Sequence, residues 1–150
     1  MKPFLSALAA LAATSAQADI DASNPARIYD LLRSEGYAVE LGADSMGDPK
    51  ISAKYEGSNF QIFFYDCTDN VSCRTIQFQT AYDMSSGMEY PKANEWNATK
   101  RYASVYLDDE MDPFLQMDVN VDYGVSEQNF VDNFKMWTRV LKDFEDFIDW

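Results

Sequence analysis

The chain has 150 residues, of which 47% are hydrophobic and 25% charged, and its formal net charge is −13. This length suits a single domain with a sizeable core. Histidine is absent, which excludes Ser-His-Asp and Cys-His catalysis and removes the commonest imidazole metal ligand. The acidic charge and the lack of any basic run argue against a nucleic-acid partner.

The N-terminal stretch is typical of a secretory signal peptide. Lys2 precedes an apolar run from Phe4 to Ala13, and the small residues Ala16 and Ala18 supply a cleavage site. The apolar run is shorter than the roughly 20 residues that cross a bilayer. We therefore expect cleavage after Ala18, one domain over residues 19–150, and a periplasmic or secreted protein without a transmembrane segment.

A short helix opens the expected domain. Ser23 or Asn24 can cap its first turn, Pro25 suits that turn, and Gly36 marks its end. Its apolar face consists of Ile28, Leu31 and Leu32. Two short strands follow, in "YAVELG" and "PKISAKYEG", with "ADSMGD" as the turn between them.

Both cysteines lie between two further strands, "FQIFFYDC" and "CRTIQF". If Cys67 faces Cys73 across an antiparallel hairpin, Phe64 pairs with Ile76 and apolar side chains meet apolar partners along the ladder. In a secreted chain this arrangement favours a structural disulfide over a redox pair, which typically has Cys-x-x-Cys spacing at a helix N-terminus. Two thiolates without histidine do not make a zinc site.

Three elements complete the predicted fold. "YPKANEWNATKRY" suits a second helix, "ASVYLDD" and "FLQMDVNV" suit a hairpin, and a long helix follows Ser126 as its N-cap. The long helix has a wide apolar stripe of Phe130, Phe134, Trp137, Leu141, Phe144 and Ile148. The order α-β-β-β-β-α-β-β-α predicts an α+β fold, with an antiparallel sheet and helices on one face.

Two acidic segments invite comparison with metal or catalytic sites. In "DVNVDYG", Gly124 comes one position late for a calcium loop, and the twelfth residue from Asp118 is Asn129 rather than Glu. The carboxylates of "LDDEMD", residues 108–112, could bind a cation or act as acid and base, although aspartate is also an ordinary turn residue. We expect a turn in both segments and no metal site.

The uncovered face of the sheet is the first candidate binding site. It should present aromatic and amide side chains together, a composition typical of recognition surfaces. The candidate partner-binding residues are Phe63, Tyr65, Gln77, Tyr106 and Phe114. The alternative is cross-strand packing that only stabilises the sheet.

A second candidate site lies on and after the second helix. Its residues, which could line a pocket for a small ligand, are Asn94, Trp96, Asn97 and Arg101. The alternative is that the amides bind loop backbone groups and the indole belongs to the core.

Several segments together resemble the YbjN family, whose members are described as bacterial sensory transduction regulators. These segments are "GDPKI", "FYDC", "CRTIQF", "NEWNATKRYASVYLDDEMDPFLQMDVNV" and "GVSEQNF". The resemblance covers about residues 24 to 148 and is most specific from Asn94 to Val121. The chain resembles the subgroup that has a signal peptide and two cysteines.

This resemblance implies an α+β fold similar to type III secretion chaperones, small acidic proteins, often dimeric, that hold a partner polypeptide. The family supplies no catalytic residues. We therefore expect a non-enzymatic binding or regulatory module, without a cofactor, that engages a protein partner and is compatible with a homodimer. The alternative is a small-ligand sensor or a carboxylate-dependent enzyme that uses Trp96 and Arg101 with the turn at Asp108–Asp112.

Overall fold

The computed structural model describes residues 19–150, so the predicted signal peptide lies outside the described residues. The order of elements agrees with the prediction. The elements are α1 (Pro25–Ser34), β1 (Ala38–Ala43), β2 (Pro49–Tyr55), β3 (Ser58–Tyr65), β4 (Thr75–Ala81), α2 (Tyr90–Thr99), β5 (Ser104–Leu107), β6 (Pro113–Asn120) and α3 (Glu127–Ile148). No helix within residues 19–150 is long and apolar enough to cross a membrane.

Helix α1 begins after Asn24, one of the two predicted caps, and ends at Ser34, two residues before the predicted stop at Gly36. The side chain of Asn24 accepts a hydrogen bond from the Arg27 backbone N–H at 3.2 Å, and Pro25 occupies the first turn. Beyond the helix, Gly36 adopts a φ of +89°, a left-handed conformation that glycine reaches without steric cost. The predicted apolar face, Ile28, Leu31 and Leu32, is buried.

The six strands form one antiparallel sheet in the order β1-β2-β3-β4-β6-β5. The predicted register of the cysteine hairpin is confirmed, because Phe64 pairs with Ile76 and Tyr65 with Thr75. A disulfide joins Cys67 and Cys73 beyond this ladder. The structure thus confirms an α+β fold in which three helices pack against the sheet.

Helix α3 covers the inner face of the sheet with aromatic side chains. All six residues of its predicted stripe are buried. The Trp137 ring stacks on Phe78 at 5.6 Å and meets Phe60 at 5.8 Å, measured between ring centroids. Such aromatic pairs contribute about 0.5–1.5 kcal/mol beyond their buried area. The hydrophobic core therefore lies between α3 and the centre of the sheet.

The segment that resembles a calcium loop in sequence is instead a turn that fixes the N-terminal end of the described chain. Ile20 and Val125 exchange backbone hydrogen bonds of 2.7 and 2.9 Å. Gly124 has a φ of +84°, and a Cβ added to it would lie 2.7 Å from the Cβ of Asp19. This close approach explains the glycine without a metal ion.

Candidate functional site

A row of polar side chains crosses the outer face of the sheet, the face opposite α3. Successive cross-strand partners place one residue from each of the six strands in this polar row. Its members are Ser104, Gln116, Gln79, Gln61, Ser52 and Glu40. The β4–β6 pairing creates the row by placing Gln79 opposite Gln116.

Two aromatic pairs lie on opposite sides of the polar row. Tyr106 is the cross-strand partner of Phe114, and their rings stack with centroids 5.0 Å apart. Phe63 and Tyr65 are neighbours on β3, with ring centroids 6.4 Å apart. The Tyr65 and Tyr106 side chains are 42% and 43% exposed. The four aromatic residues predicted to bind a partner thus share one face but form two separate pairs.

The amide of Gln77 connects the second aromatic pair to β6. Its Nε2 donates to Oδ1 of Asp118 at 2.9 Å, and its Oε1 accepts from Nε2 of Gln79 at 3.2 Å. The Tyr65 hydroxyl lies 3.5 Å from the same Oε1. Partial burial, and secondarily the Asp118 carboxylate, raise the pKa of Tyr65. Its phenol is therefore a protonated hydrogen-bond donor at neutral pH.

Trp96 and Asn97, both predicted to line a pocket, make hydrogen bonds and ring contacts within the protein. The buried Trp96 indole donates from Nε1 to the Ala103 carbonyl at 3.0 Å, and its ring meets Phe144 at 4.8 Å. The Asn97 amide donates to the Val105 carbonyl at 3.0 Å and accepts from the Val105 N–H at 2.8 Å. Trp96 thus anchors α2 on α3, and Asn97 pairs with the outer edge of β5.

A groove of about 410 Å³ lies between α3 and the loop that follows α2. Its lining includes Trp96 and Arg101 together with Tyr102, Met136, Arg139 and Val140. We call it the α2–α3 groove. Of the four predicted pocket residues, Trp96 and Arg101 line this groove, and Asn94 and Asn97 do not. Asn94 lies exposed on α2.

The acidic segment at residues 108–112 forms the turn between β5 and β6. Asp108 Oδ1 accepts backbone hydrogen bonds from Glu110 and Asp112, each at 2.9 Å. Asp112 Oδ1 accepts from the Met84 N–H at 2.8 Å. Two of these carboxylates therefore stabilise the local backbone. Within residues 19–150 no group of three or more cysteine, aspartate or glutamate side chains is placed to hold a metal ion.

Sequence reasoning missed one buried polar cluster beside the core. Glu145 is only 8% exposed and accepts from Lys142 Nζ at 2.6 Å, while the Tyr82 hydroxyl lies 3.5 Å from its other oxygen. Lys142 Nζ also donates to Ser58 Oγ at 3.2 Å. The signal was present in the sequence, because Glu145 lies four residues after Leu141 on the apolar face of α3.

The sequence model of the YbjN family, described as "Putative bacterial sensory transduction regulator", matches residues 24–150. Neither the curated proteins nor the solved structures that were searched include a match to the chain. The expected likeness to type III secretion chaperones therefore stays a prediction.

Proposed function

Because the chain belongs to the YbjN family, we propose that it is a non-enzymatic regulatory module that engages a protein partner through the outer face of its sheet. The family is described as a regulator and not as an enzyme. The partner-binding face is our inference from the arrangement of side chains on the sheet.

One observation carries this proposal. Tyr65 and Tyr106 are each more than two-fifths exposed on a sheet face that no helix within residues 19–150 covers. Tyrosine supplies a large apolar area with a polar end and is enriched at protein interfaces. The amides of the polar row add donors and acceptors between the two aromatic pairs. Together they provide the composition that a polypeptide partner requires.

We propose that the protein acts in the periplasm or outside the cell. We also propose that it belongs to the two-cysteine subgroup of the family. The signal-peptide pattern over residues 1–18 supports this location. The disulfide between Cys67 and Cys73 is also consistent with it, because such bonds persist in oxidising compartments.

Affinity capture tests the proposal. The immobilised, oxidised protein is incubated with envelope extract from its host, and retained proteins are identified by mass spectrometry. The test variant is Tyr65→Ser/Tyr106→Ser. The matched control is Tyr90→Ser/Tyr123→Ser, which alters two tyrosines that are 67% and 97% exposed elsewhere. We expect the wild type and the control to retain the same partner and the test variant to lose it. Equal retention by both variants, or no retained protein, would contradict the proposal.

A second candidate function, small-ligand sensing, is favoured by the α2–α3 groove, whose lining includes both Trp96 and Arg101. No comparable observation supports the other alternative, a carboxylate-dependent enzyme. Asp108 and Asp112 accept backbone hydrogen bonds, and neither contributes to the lining of the groove.

A further inference from the structure

Positive charge is concentrated in the α2–α3 groove, although the protein as a whole is strongly acidic. The chain has 12 basic and 25 acidic residues. Three cationic side chains, Lys100, Arg101 and Arg139, line this groove, against two carboxylates, those of Asp132 and Asp143. The Debye length is about 8 Å at physiological ionic strength. Remote carboxylates are therefore screened, and the nearby cations dominate the potential that a ligand meets inside the groove.

Two of these cations lack a carboxylate partner. Within residues 19–150, Arg101 and Arg139 have no carboxylate oxygen within the 4.0 Å of an ion pair. Lys100 is partly engaged, because its Nζ lies 3.9 Å from Asp143 and 5.2 Å from the centre of the Trp96 ring. A guanidinium group presents donors in a planar fork that matches the oxygens of a carboxylate, sulfonate or phosphate.

The remaining walls of the groove are largely apolar. They are formed by Trp96, Tyr102, Met136 and Val140. Sites for small molecules are typically concave and apolar, with a few polar groups that fix orientation, and range from about 300 to 1,000 Å³. The groove, at about 410 Å³, lies in the lower part of this range. Its lining therefore suits a compact ligand with one acidic end.

We propose that the α2–α3 groove binds an amphipathic organic anion, in which Arg101 and Arg139 hold a carboxylate, sulfonate or phosphate group and Met136 and Val140 contact an apolar or aromatic body. The carboxylates of Asp132 and Asp143, which lie within the groove, oppose a highly charged ligand, so a single acidic group is preferred. This inference rests on the second candidate function and is independent of the sheet face.

A pair of fluorescent probes tests the proposal. The probe 8-anilinonaphthalene-1-sulfonate has an aromatic body and one sulfonate group, and N-phenyl-1-naphthylamine has the same body without the sulfonate. Each is titrated into the purified, oxidised protein and into the Arg101→Gln/Arg139→Gln variant. We expect saturable binding of the sulfonate, at least tenfold weaker in this variant. We expect the affinity for the neutral probe to differ less than twofold between the wild type and this variant.

Two further variants identify the site. Lys54→Gln/Arg74→Gln removes the same charge outside the groove and should leave sulfonate binding within twofold of the wild type. Tyr65→Ser/Tyr106→Ser should also leave it unchanged, which separates this proposal from the proposed partner surface. The proposal is overturned if the arginine variant binds the sulfonate like the wild type. It is equally overturned if either further variant loses as much binding. Circular dichroism is used to check that each variant is folded.

Discussion

The side-chain amide of Asn97 pairs with both backbone hydrogen-bonding groups of Val105, donating to its carbonyl at 3.0 Å and accepting from its N–H at 2.8 Å. Val105 lies on β5, which forms one edge of the sheet. Unpaired edge strands are sites of aggregation, and proteins cover or interrupt them. Asn97 thus occupies part of this edge, whereas β1, at the other edge, remains mostly exposed.

Replacement of this amide should destabilise the protein. Asn97→Ala removes both hydrogen bonds from the part-buried backbone groups of Val105, and we expect the free energy of unfolding to fall by about 0.5–1.5 kcal/mol. Urea unfolding followed by circular dichroism measures the change. Asn94→Ala on the same helix is the matched control, because both asparagines are exposed and, of the two, only Asn97 hydrogen-bonds to β5 through its side chain. Equal loss of stability in both variants would disprove the role assigned to Asn97.

Gly124 should be intolerant of a side chain. Its φ is +84°, and an added Cβ would lie only 2.7 Å from the Cβ of Asp19. We therefore expect Gly124→Ala to lower the free energy of unfolding by at least about 1–2 kcal/mol. Gly42→Ala is the control, because a Cβ there meets nothing within 4 Å. Chemical denaturation measures the free energy of unfolding of both variants. A Gly124 variant as stable as the control would show that this turn relaxes freely.

Tyr82 should make the protein sensitive to alkaline pH. Burial, and secondarily the charge of Glu145, raise the pKa of Tyr82 above the ordinary value of 10.0. Above about pH 10 the unfolded chain therefore loses this proton while the folded protein retains it, so the free energy of unfolding falls as pH rises. The slope from this one group is at most about 1.4 kcal/mol per pH unit.

The Tyr82→Phe variant tests this linkage. Urea midpoints measured between pH 8 and 11 should fall less steeply above pH 10 in the variant than in the wild type. Tyr123→Phe removes a hydroxyl from an exposed side chain and serves as the control. Parallel slopes in the wild type and the Tyr82 variant would show that the buried phenol does not contribute.

The disulfide should stabilise the hairpin without determining the fold. Cys67 and Cys73 are six positions apart, and the chain-entropy model gives about 2–2.5 kcal/mol for closing so short a loop. We expect reduction, or the Cys67→Ala/Cys73→Ala variant, to lower the free energy of unfolding by about this amount and to preserve the far-ultraviolet circular dichroism spectrum. Complete unfolding on reduction would mean that the core is weaker than its packing indicates.

The sequence predicted those parts of the fold that depend on local patterns. Alternation around Cys67 and Cys73 determined the register of β3 and β4, and the spacing from Phe130 to Ile148 predicted the buried face of α3. The pairing of β4 with β6 could not be derived, because α2 and β5 intervene and no turn sets that register. The polar row, and the separation of the two aromatic pairs, depend on this non-local pairing.

The candidate sites were harder to predict for the same reason. Trp96 has the residue type of a ligand contact, yet its indole is buried against Phe144, which follows it by 48 positions in the sequence. Arg139 was not anticipated beside Arg101, because α3 must pack against the loop after α2 before the two arginines share a groove. Local sequence identifies the chemical groups, but tertiary packing decides which of them meet.

The central claim, that the outer sheet face binds a protein partner, is tested most directly by photocrosslinking in the host. The photoreactive residue p-benzoylphenylalanine replaces Tyr65, Tyr106 or, as a control, Tyr123. The account predicts a discrete crosslinked species of the same partner from positions 65 and 106 and none from position 123. Absence of a crosslink at positions 65 and 106, or equal crosslinking at all three positions, would contradict it.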